Sequence, residues 1–378
     1  MPTFLRPLGF ILALLPLLAA AQFQAPAPSI AASAWLLIDH GSGQTLAAAN
    51  PDQRIEPASL TKLMTAYLTF AALKQGTLKP DQVVPVSEKA WRASGSRMFI
   101  EPKRPVKVDE LIKGMIVQSG NDACVALAEA IAGSEATFVE SMNREAQRMG
   151  LTATRYANST GMPDAQHYST ARDLARLTQA LIRDFPGYYP IYSTREFRYN
   201  AITQPNRNRL LWLDPTVDGV KTGHTESAGY CLIASAKRGP RRLISVVLGT
   251  DSDATRAQES LRLINHGFLN FDAYKLYDKA RPISRLKVFK GAENTVAAGF
   301  PSDFLLSLPK GVAPSRIKIK LASRQPLLAP VQRGAMVATL SVFLDEQHLG
   351  DYPVEALEDV AVAGFVGRSW DTLKLWFE

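Results

Sequence analysis

The stretch EPASLTKLMTAY, residues 56–67, decides how the rest of the chain is read. Ser59 and Lys62 stand three residues apart in it, and Leu60, Leu63, Met64, Tyr67 and then Ala71 recur at helical spacing. A helix over 59–73 puts the hydroxyl and the amine on one face, within reach of each other. An unactivated serine is a poor nucleophile at neutral pH and needs a base. A lysine serves as that base only where desolvation or a neighbouring cation lowers its pKa. The N-terminus of the helix adds a field that favours a developing alkoxide. Two further S-x-x-K copies, Ser284 to Lys287 and Ser315 to Lys318, fall in a tail of short alternating runs. Alternation at Ile317 and Ile319 predicts a strand that points Ser315 and Lys318 to opposite faces. Of these three, Ser59 has the helix that the chemistry requires.

Two more motifs follow in order. Ser119-Gly120-Asn121 falls at a turn between helical patterns over 108–118 and 121–132. Its hydroxyl can relay a proton and its amide can hold a substrate carbonyl. Ser141-Met142-Asn143 repeats the spacing inside a helix over 135–149, where a solvated helix face is the expectation. Lys221-Thr222-Gly223 opens a strand-rich stretch, and such a tripeptide arises by chance about once in several thousand positions. Its glycine lets a substrate backbone approach the strand. Its lysine and threonine offer a cation and a hydroxyl to an anionic group.

Outward from these motifs, Trp35–Asp39 and Thr45–Ala49 around Gly41-Ser42-Gly43 read as a hairpin. A helix over 171–184, strands over 230–236 and 242–248, and a last helix over 253–270 complete a mixed α/β domain spanning 22–275. The sheet is expected to carry helices on both sides, with the site between sheet and helical block. From about 276 to 360 the short runs predict a small all-β domain. The chain has 378 residues, 46% of them hydrophobic and 21% charged, which suits two globular domains. Two cysteines exclude a disulfide scaffold, and no two of the five histidines fall within ligand spacing of each other. Cys124 and Cys231 lie in apolar stretches and are expected to be buried thiols.

Residues 1–21 read as a signal peptide: Arg6 precedes the apolar run Leu8–Leu18, and Ala19 and Ala21 suit a cleavage site. No other apolar run is long enough to span a bilayer, which excludes a polytopic membrane protein. The formal charge of +8 suits an anionic partner, and export makes nucleic acid the least fitting one. At the other end, residues 361–378 predict an amphipathic helix with Phe365, Val366, Trp370, Leu373, Trp376 and Phe377 on one face, suited to a membrane interface, with docking on its own protein as the competing reading.

The three motifs in this order are those of penicillin-binding proteins and class A β-lactamases. The chain resembles the D-alanyl-D-alanine carboxypeptidases of the penicillin-binding protein 5 type over nearly its whole length. EPASLTKLMTAY, QSGNDACVALAE, GSEATFVESMN, ALIRDFP, NRNRLLW, VDGVKTGHTESAGYCLIASA and RLISV carry that resemblance. It implies a β-lactamase-like transpeptidase domain with an antiparallel sheet, followed by the β-rich domain and a membrane-associating helix. It also implies an exported, periplasmic serine enzyme on the cytoplasmic membrane, acting on peptidoglycan stem peptides and acylated by β-lactams, without metal or cofactor. On matching positions, Ser59 would be the nucleophile, Lys62 its base, Ser119 a proton shuttle and Asn121 the holder of the acyl peptide. Lys221 would keep the site positive and Thr222, beside Gly223, would bind the terminal carboxylate. The oxyanion would lie between the N–H groups of Ser59 and His224. Arg207 and Arg256 match family cations near that carboxylate, with surface charge as the competing reading. His167 also matches and is read as structural.

Three relatives of this activity stay open. A class A β-lactamase deacylates through an extra glutamate, and the one stretch resembling that segment, Glu196–Asn200, lies about 25 residues before Lys221, too near for that layout. Penicillin is therefore expected to be a covalent inhibitor and a poor substrate. A D,D-endopeptidase would cut cross-links with the same serine. A β-lactam or muropeptide sensor would keep Ser59 and Lys62 without turnover.

Overall fold

Ala34–Asp39, strand β1, is apolar at five successive positions, and all six of its residues are buried. A strand covered on both faces reads as a continuous apolar run rather than an alternating one. The computed structural model describes residues 28–364; the predicted signal peptide and all but the first four residues of the predicted terminal helix lie outside them. β2 (Thr45–Ala49) returns beside β1, and β3 (Val217–Thr225), β4 (Gly229–Arg238) and β5 (Arg241–Thr250) complete a five-stranded sheet in the order β2-β1-β5-β4-β3, antiparallel throughout.

Trp35 and Leu37 face Leu243, Val247 and Leu263 under the helix Asp253–Asn270. Leu36 and Ile38 face the opposite way, with Ile244 and Val246, into a larger core shared with the helical block. Each such buried aliphatic side chain contributes about 1.5–3 kcal/mol. The block comprises α1 (Lys62–Gln75), α2 (Val108–Val117), α3 (Asn121–Ala132), α4 (Glu135–Arg148) and α5 (Ala171–Asp184). Ser134 and Thr170 cap α4 and α5 by accepting from the N–H groups of Thr137 and Asp173. Gly76 and Gly133 end α1 and α3 in the left-handed conformation.

The α-helix starts three residues later than its periodicity predicts. Ser59 lies in a 3₁₀ turn, Ala58–Thr61, that precedes α1. Ala58 has φ +48°, which the regular helix does not admit, so the chain tightens before it winds. Asn143 also differs from expectation. It is no solvated position: its side chain donates to the Val139 and Tyr156 carbonyls at 3.0 and 2.9 Å and accepts from the Tyr156 N–H, tying α4 to the segment beyond it.

Over residues 271–364 the regular structure is strand apart from one short 3₁₀ turn. A six-stranded sheet and a two-stranded ribbon (Phe271–Tyr277 with Phe304–Pro309) enclose Val296, Leu306, Leu308, Leu340, Val342 and Val354. Val362 still bridges Gly291, so the chain stays attached to this domain beyond residue 360. Ser315 belongs to a short 3₁₀ turn, Pro314–Arg316, rather than to a strand, because Pro314 fixes the turn ahead of Ile317. A further S-x-x-K, Ser307 to Lys310, has its hydroxyl committed to Asp39 at 2.9 Å.

That bond belongs to a buried joint between the domains. Asp39 accepts from Arg241 Nε at 3.2 Å, Arg241 donates to Ser307 Oγ and to the Phe271 carbonyl at 2.7 Å each, and Gln44 exchanges two bonds with the Ser307 backbone. Removing one partner of a buried ion pair strands the other charge. Asp39→Ala is therefore expected to cost about 3–5 kcal/mol, measured by denaturant unfolding, while penicillin labelling at 25 °C is retained. A midpoint equal to that of the unchanged chain would show that the joint does not contribute.

Candidate active site

Lys62 is 1% exposed, and its Nζ donates to Ser59 Oγ at 2.8 Å and to the Thr160 carbonyl at 2.5 Å. The carbonyl is held there by local chemistry. Asn158 Oδ1 accepts from the N–H groups of Thr160, Gly161 and Met162, winding the segment into a tight turn. Gly161 has φ +89°, and a Cβ there would lie 1.8 Å from the Ala58 carbonyl oxygen, so only glycine lets this turn seat under Ser59. Burial lowers the Lys62 pKa to about 8. Behind the turn, the Ala157 N–H reaches His167 Nδ1 at 3.4 Å, leaving Nε2–H to donate to Thr61 Oγ1 at 2.8 Å. Burial holds His167 at about 4, so it is a neutral structural group.

The second wall is the turn between α2 and α3. Ser119 takes φ +66°, and its Oγ accepts from Lys221 Nζ at 2.9 Å; Lys221 also donates to the Thr222 carbonyl. Lys221 is buried, and burial first, then the Lys62 charge, holds its pKa well below the usual lysine range. Asn121 begins α3, with its Nδ2 donating to the Ser94 carbonyl at 2.6 Å and its Oδ1 buried without a partner among the described residues. Asp122 is the residue that sequence reasoning passed over. Its carboxylate is fully buried and accepts from the N–H groups of Met98, Phe99 and Ile100, pinning the 94–100 loop against the Ser119 turn. Its one local signal is an acidic residue in the first turn of a helix, which does not say what the carboxylate reaches.

β3 forms the third wall. The absent Cβ of Gly223 faces the Pro57 carbonyl and Leu60, each 3.2 Å from where it would stand, so this glycine admits the Ser59 turn as well as leaving the strand open. His224 is exposed and lies over Tyr230 with centroids 4.0 Å apart. Arg256 is 6% exposed, which removes the surface reading: it donates to the Gly223 carbonyl at 3.1 Å, pairs with Asp253 and covers the Tyr230 ring. Arg207 stands at the rim and donates from Nε to the Gln118 carbonyl at 3.3 Å.

These walls enclose a cleft of about 410 Å³ lined by Ser59, Ser96, Ser119, Arg207, Thr222, Gly223, His224, Tyr230, Asp253 and Arg256. Lys62, Asn121 and Lys221 lie buried behind it, so all ten residues singled out in the sequence meet in one place. Glu196, in contrast, is exposed on a two-stranded hairpin and does not line the cleft. Cys124 is buried, and burial pushes its thiol up to about 12, so it presents no thiolate to Lys62. A hydroxyl against a desolvated amine, with a second hydroxyl–amine pair opposite, can pass a proton across the cleft and back.

Residues 21–252 match the family model described as D-alanyl-D-alanine carboxypeptidase, and residues 271–362 match that of the penicillin-binding protein 5 C-terminal domain. The chain is 42% identical to D-alanyl-D-alanine carboxypeptidase DacA of Haemophilus influenzae over 361 residues, 94% of this chain and 91% of that one. It is 40% identical to DacC of Escherichia coli over 377 residues, 98% and 94% of the two chains. The crystal structure of penicillin-binding protein 5 from Haemophilus influenzae superposes with a TM-score of 0.77 at 41% identity, covering 89% of this chain and 99% of that one.

Proposed function

The chain belongs to the D-alanyl-D-alanine carboxypeptidase family of serine hydrolases, and from that premise we propose how its cleft removes the last D-alanine of a peptidoglycan stem peptide. Ser59 Oγ attacks the carbonyl carbon of the penultimate D-alanine and gives its proton to neutral Lys62. The negative oxygen is held by the N–H groups of Ser59 and His224. As the C–N bond breaks, the departing amine takes a proton from Ser119 Oγ, which Lys221 resupplies. Water then reverses the sequence and frees Ser59. Thr222 and the Arg207 and Arg256 guanidiniums bind the departing carboxylate, and Asn121 orients the acyl peptide. The observation that carries this reading is the 2.8 Å bond from a buried lysine amine to Ser59 Oγ.

The pH dependence tests it. Lys62 acts in its neutral form, and its pKa stands at about 8. Below that value the amine is protonated and Ser59 keeps its proton, so D-alanine release from an N-acylated Lys-D-Ala-D-Ala tripeptide should rise about tenfold per pH unit and level above about 8. A profile flat from pH 6 to 9 would exclude Lys62 as the base.

A second substrate is favoured by one feature. Past Arg207, Arg256 and Asp253 the cleft continues into a cavity of about 480 Å³ walled by Gln118, Gln204 and Arg209. A leaving group larger than one alanine, such as a cross-linked stem, fits that extension, and a purified cross-linked muropeptide is the substrate to try. The protein acts, on this reading, in the periplasm after removal of residues 1–21. Residues 361–364 are extended on the β domain rather than helical, so the predicted apolar face of the segment after Gly364 would hold it peripherally on the cytoplasmic membrane; no described helix is long and apolar enough to cross one.

A further inference from the structure

We propose that Glu56 is a positioning residue for the oxyanion pocket, acting through Ser227. The inference rests on the Ser59 and His224 N–H groups being the oxyanion donors, and it concerns what keeps them in register. They come from two separate elements, the 3₁₀ turn Ala58–Thr61 and strand β3. Their inner parts are fixed by packing, since Gly223 abuts Pro57 and Leu60. At the outer end β3 stops at Thr225 and turns back into β4; Ala228 reaches the core there, while Glu226 and Ser227, which join it to β3, are exposed.

Among the described residues a single side-chain bond crosses there. Ser227 Oγ donates to Glu56 Oε2. The carboxylate stands three residues before Ser59 on backbone that is itself held, because Ile55 and Ser169 exchange two N–H···O bonds of 2.9 Å. The turn is braced for the contact by the Ala228 N–H, which donates to Thr225 Oγ1 at 3.0 Å. The other carboxylate oxygen, Oε1, is buried with no hydrogen-bond partner among the described residues. A desolvated, unpartnered carboxylate oxygen opposes folding, so the placement of Glu56 is explained better by what it positions than by stability. An oxyanion donor must stand 2.7–3.1 Å from where the charge develops, and an ångström of misplacement costs about 10²-fold in rate. A latch that prevents part of that drift should be worth about tenfold.

The test uses the full chain and four variants: Glu56→Ala, Glu56→Gln, Ser227→Ala and the double alanine. Four quantities are measured on each: kcat and KM for the D-Ala-D-Ala tripeptide, the rate constant of acylation by benzylpenicillin, and the affinity for a D-alanine boronic acid. The boronic acid bonds to Ser59 Oγ and places an oxygen in the pocket. Each single alanine variant should lose about tenfold in kcat and in boronate affinity, with KM within about twofold. The double variant should be no worse than either single, and Glu56→Gln should stay near the unchanged chain because its amide oxygen accepts the same hydroxyl. Unchanged rates in both single variants, multiplying losses in the double, or failure of glutamine to rescue would overturn the latch. An unchanged chain that binds no boronate would overturn the oxyanion assignment itself, and the latch with it.

Discussion

Ser59→Ala is expected to release no measurable D-alanine and to take up no penicillin, while unfolding within a few degrees of the unchanged chain. Every covalent step passes through Ser59 Oγ, so what remains is the uncatalysed reaction plus any help from the rest of the cleft, a loss of at least about 10⁴-fold. The fold should barely notice. Ser59 is half-buried, the change removes a single hydroxyl, and Lys62 Nζ keeps its bond to the Thr160 carbonyl. One hydrogen bond of this kind contributes about 1 kcal/mol. Two measurements read the outcome: D-alanine release, and intact mass after mixing with benzylpenicillin. The unchanged chain should gain one penicilloyl adduct and lose it slowly, since no glutamate among the described residues lines the cleft to activate water against the ester. Release or labelling above about 1% of normal in the variant would move the nucleophile elsewhere.

The parts of the site legible in the sequence are those whose chemistry is written in side chains at short spacing. Ser59 and Lys62 are three apart, Ser119 and Asn121 two apart, and Lys221 to His224 consecutive. What holds them was not legible, for physical reasons that differ from residue to residue. The second partner of Lys62 is a backbone carbonyl, Thr160, and a carbonyl carries no residue-type signal. Asp122 reads locally as a first-turn acid, although its acceptors serve a loop more than twenty residues upstream. Arg256 looks like any surface arginine until the Gly223 carbonyl and Asp253 are seen to satisfy it inside the cleft wall.

The same division runs through the fold. Periodicity alone places helices over Asn121–Ala132, Ala171–Asp184 and Asp253–Asn270 and the hairpin over residues 34–49, because each buries a stripe or face that its own spacing displays. Strand order is another matter. Nothing in Trp35–Asp39 says that β5, from some two hundred residues away, lies against it. The 3₁₀ turn at Ser59 lies against Gly161, where a Cβ would strike the Ala58 carbonyl, a contact between distant segments. The domain joint at Asp39, Arg241 and Ser307 likewise joins three residues that are unremarked in one dimension.

Lys62 is where burial becomes chemistry, and its replacement has the other large effect. Lys62→Ala should lower acylation by benzylpenicillin and turnover by at least about 10³-fold, because Ser59 loses the one amine among the described residues within hydrogen-bond reach of its hydroxyl. Lys62→Arg should do no better. A guanidinium stays protonated at every usable pH and cannot accept the serine proton, although it restores the charge. Equal losses in both variants therefore separate a base from an electrostatic brace, and a partly active arginine variant would favour the brace. Lys221 supplies the finer test. The Lys62 charge disfavours the Lys221 proton, and such coupling is reciprocal, so a protonated Lys221 must also depress Lys62. Lys221→Met removes that repulsion and should move the rising limb of acylation against pH from about 8 toward more alkaline values, whatever it does to the plateau. A limb that stays in place would mean that Lys221 carries no charge when Lys62 titrates, and the proton delivered to the leaving amine would then have to come from Lys62 alone.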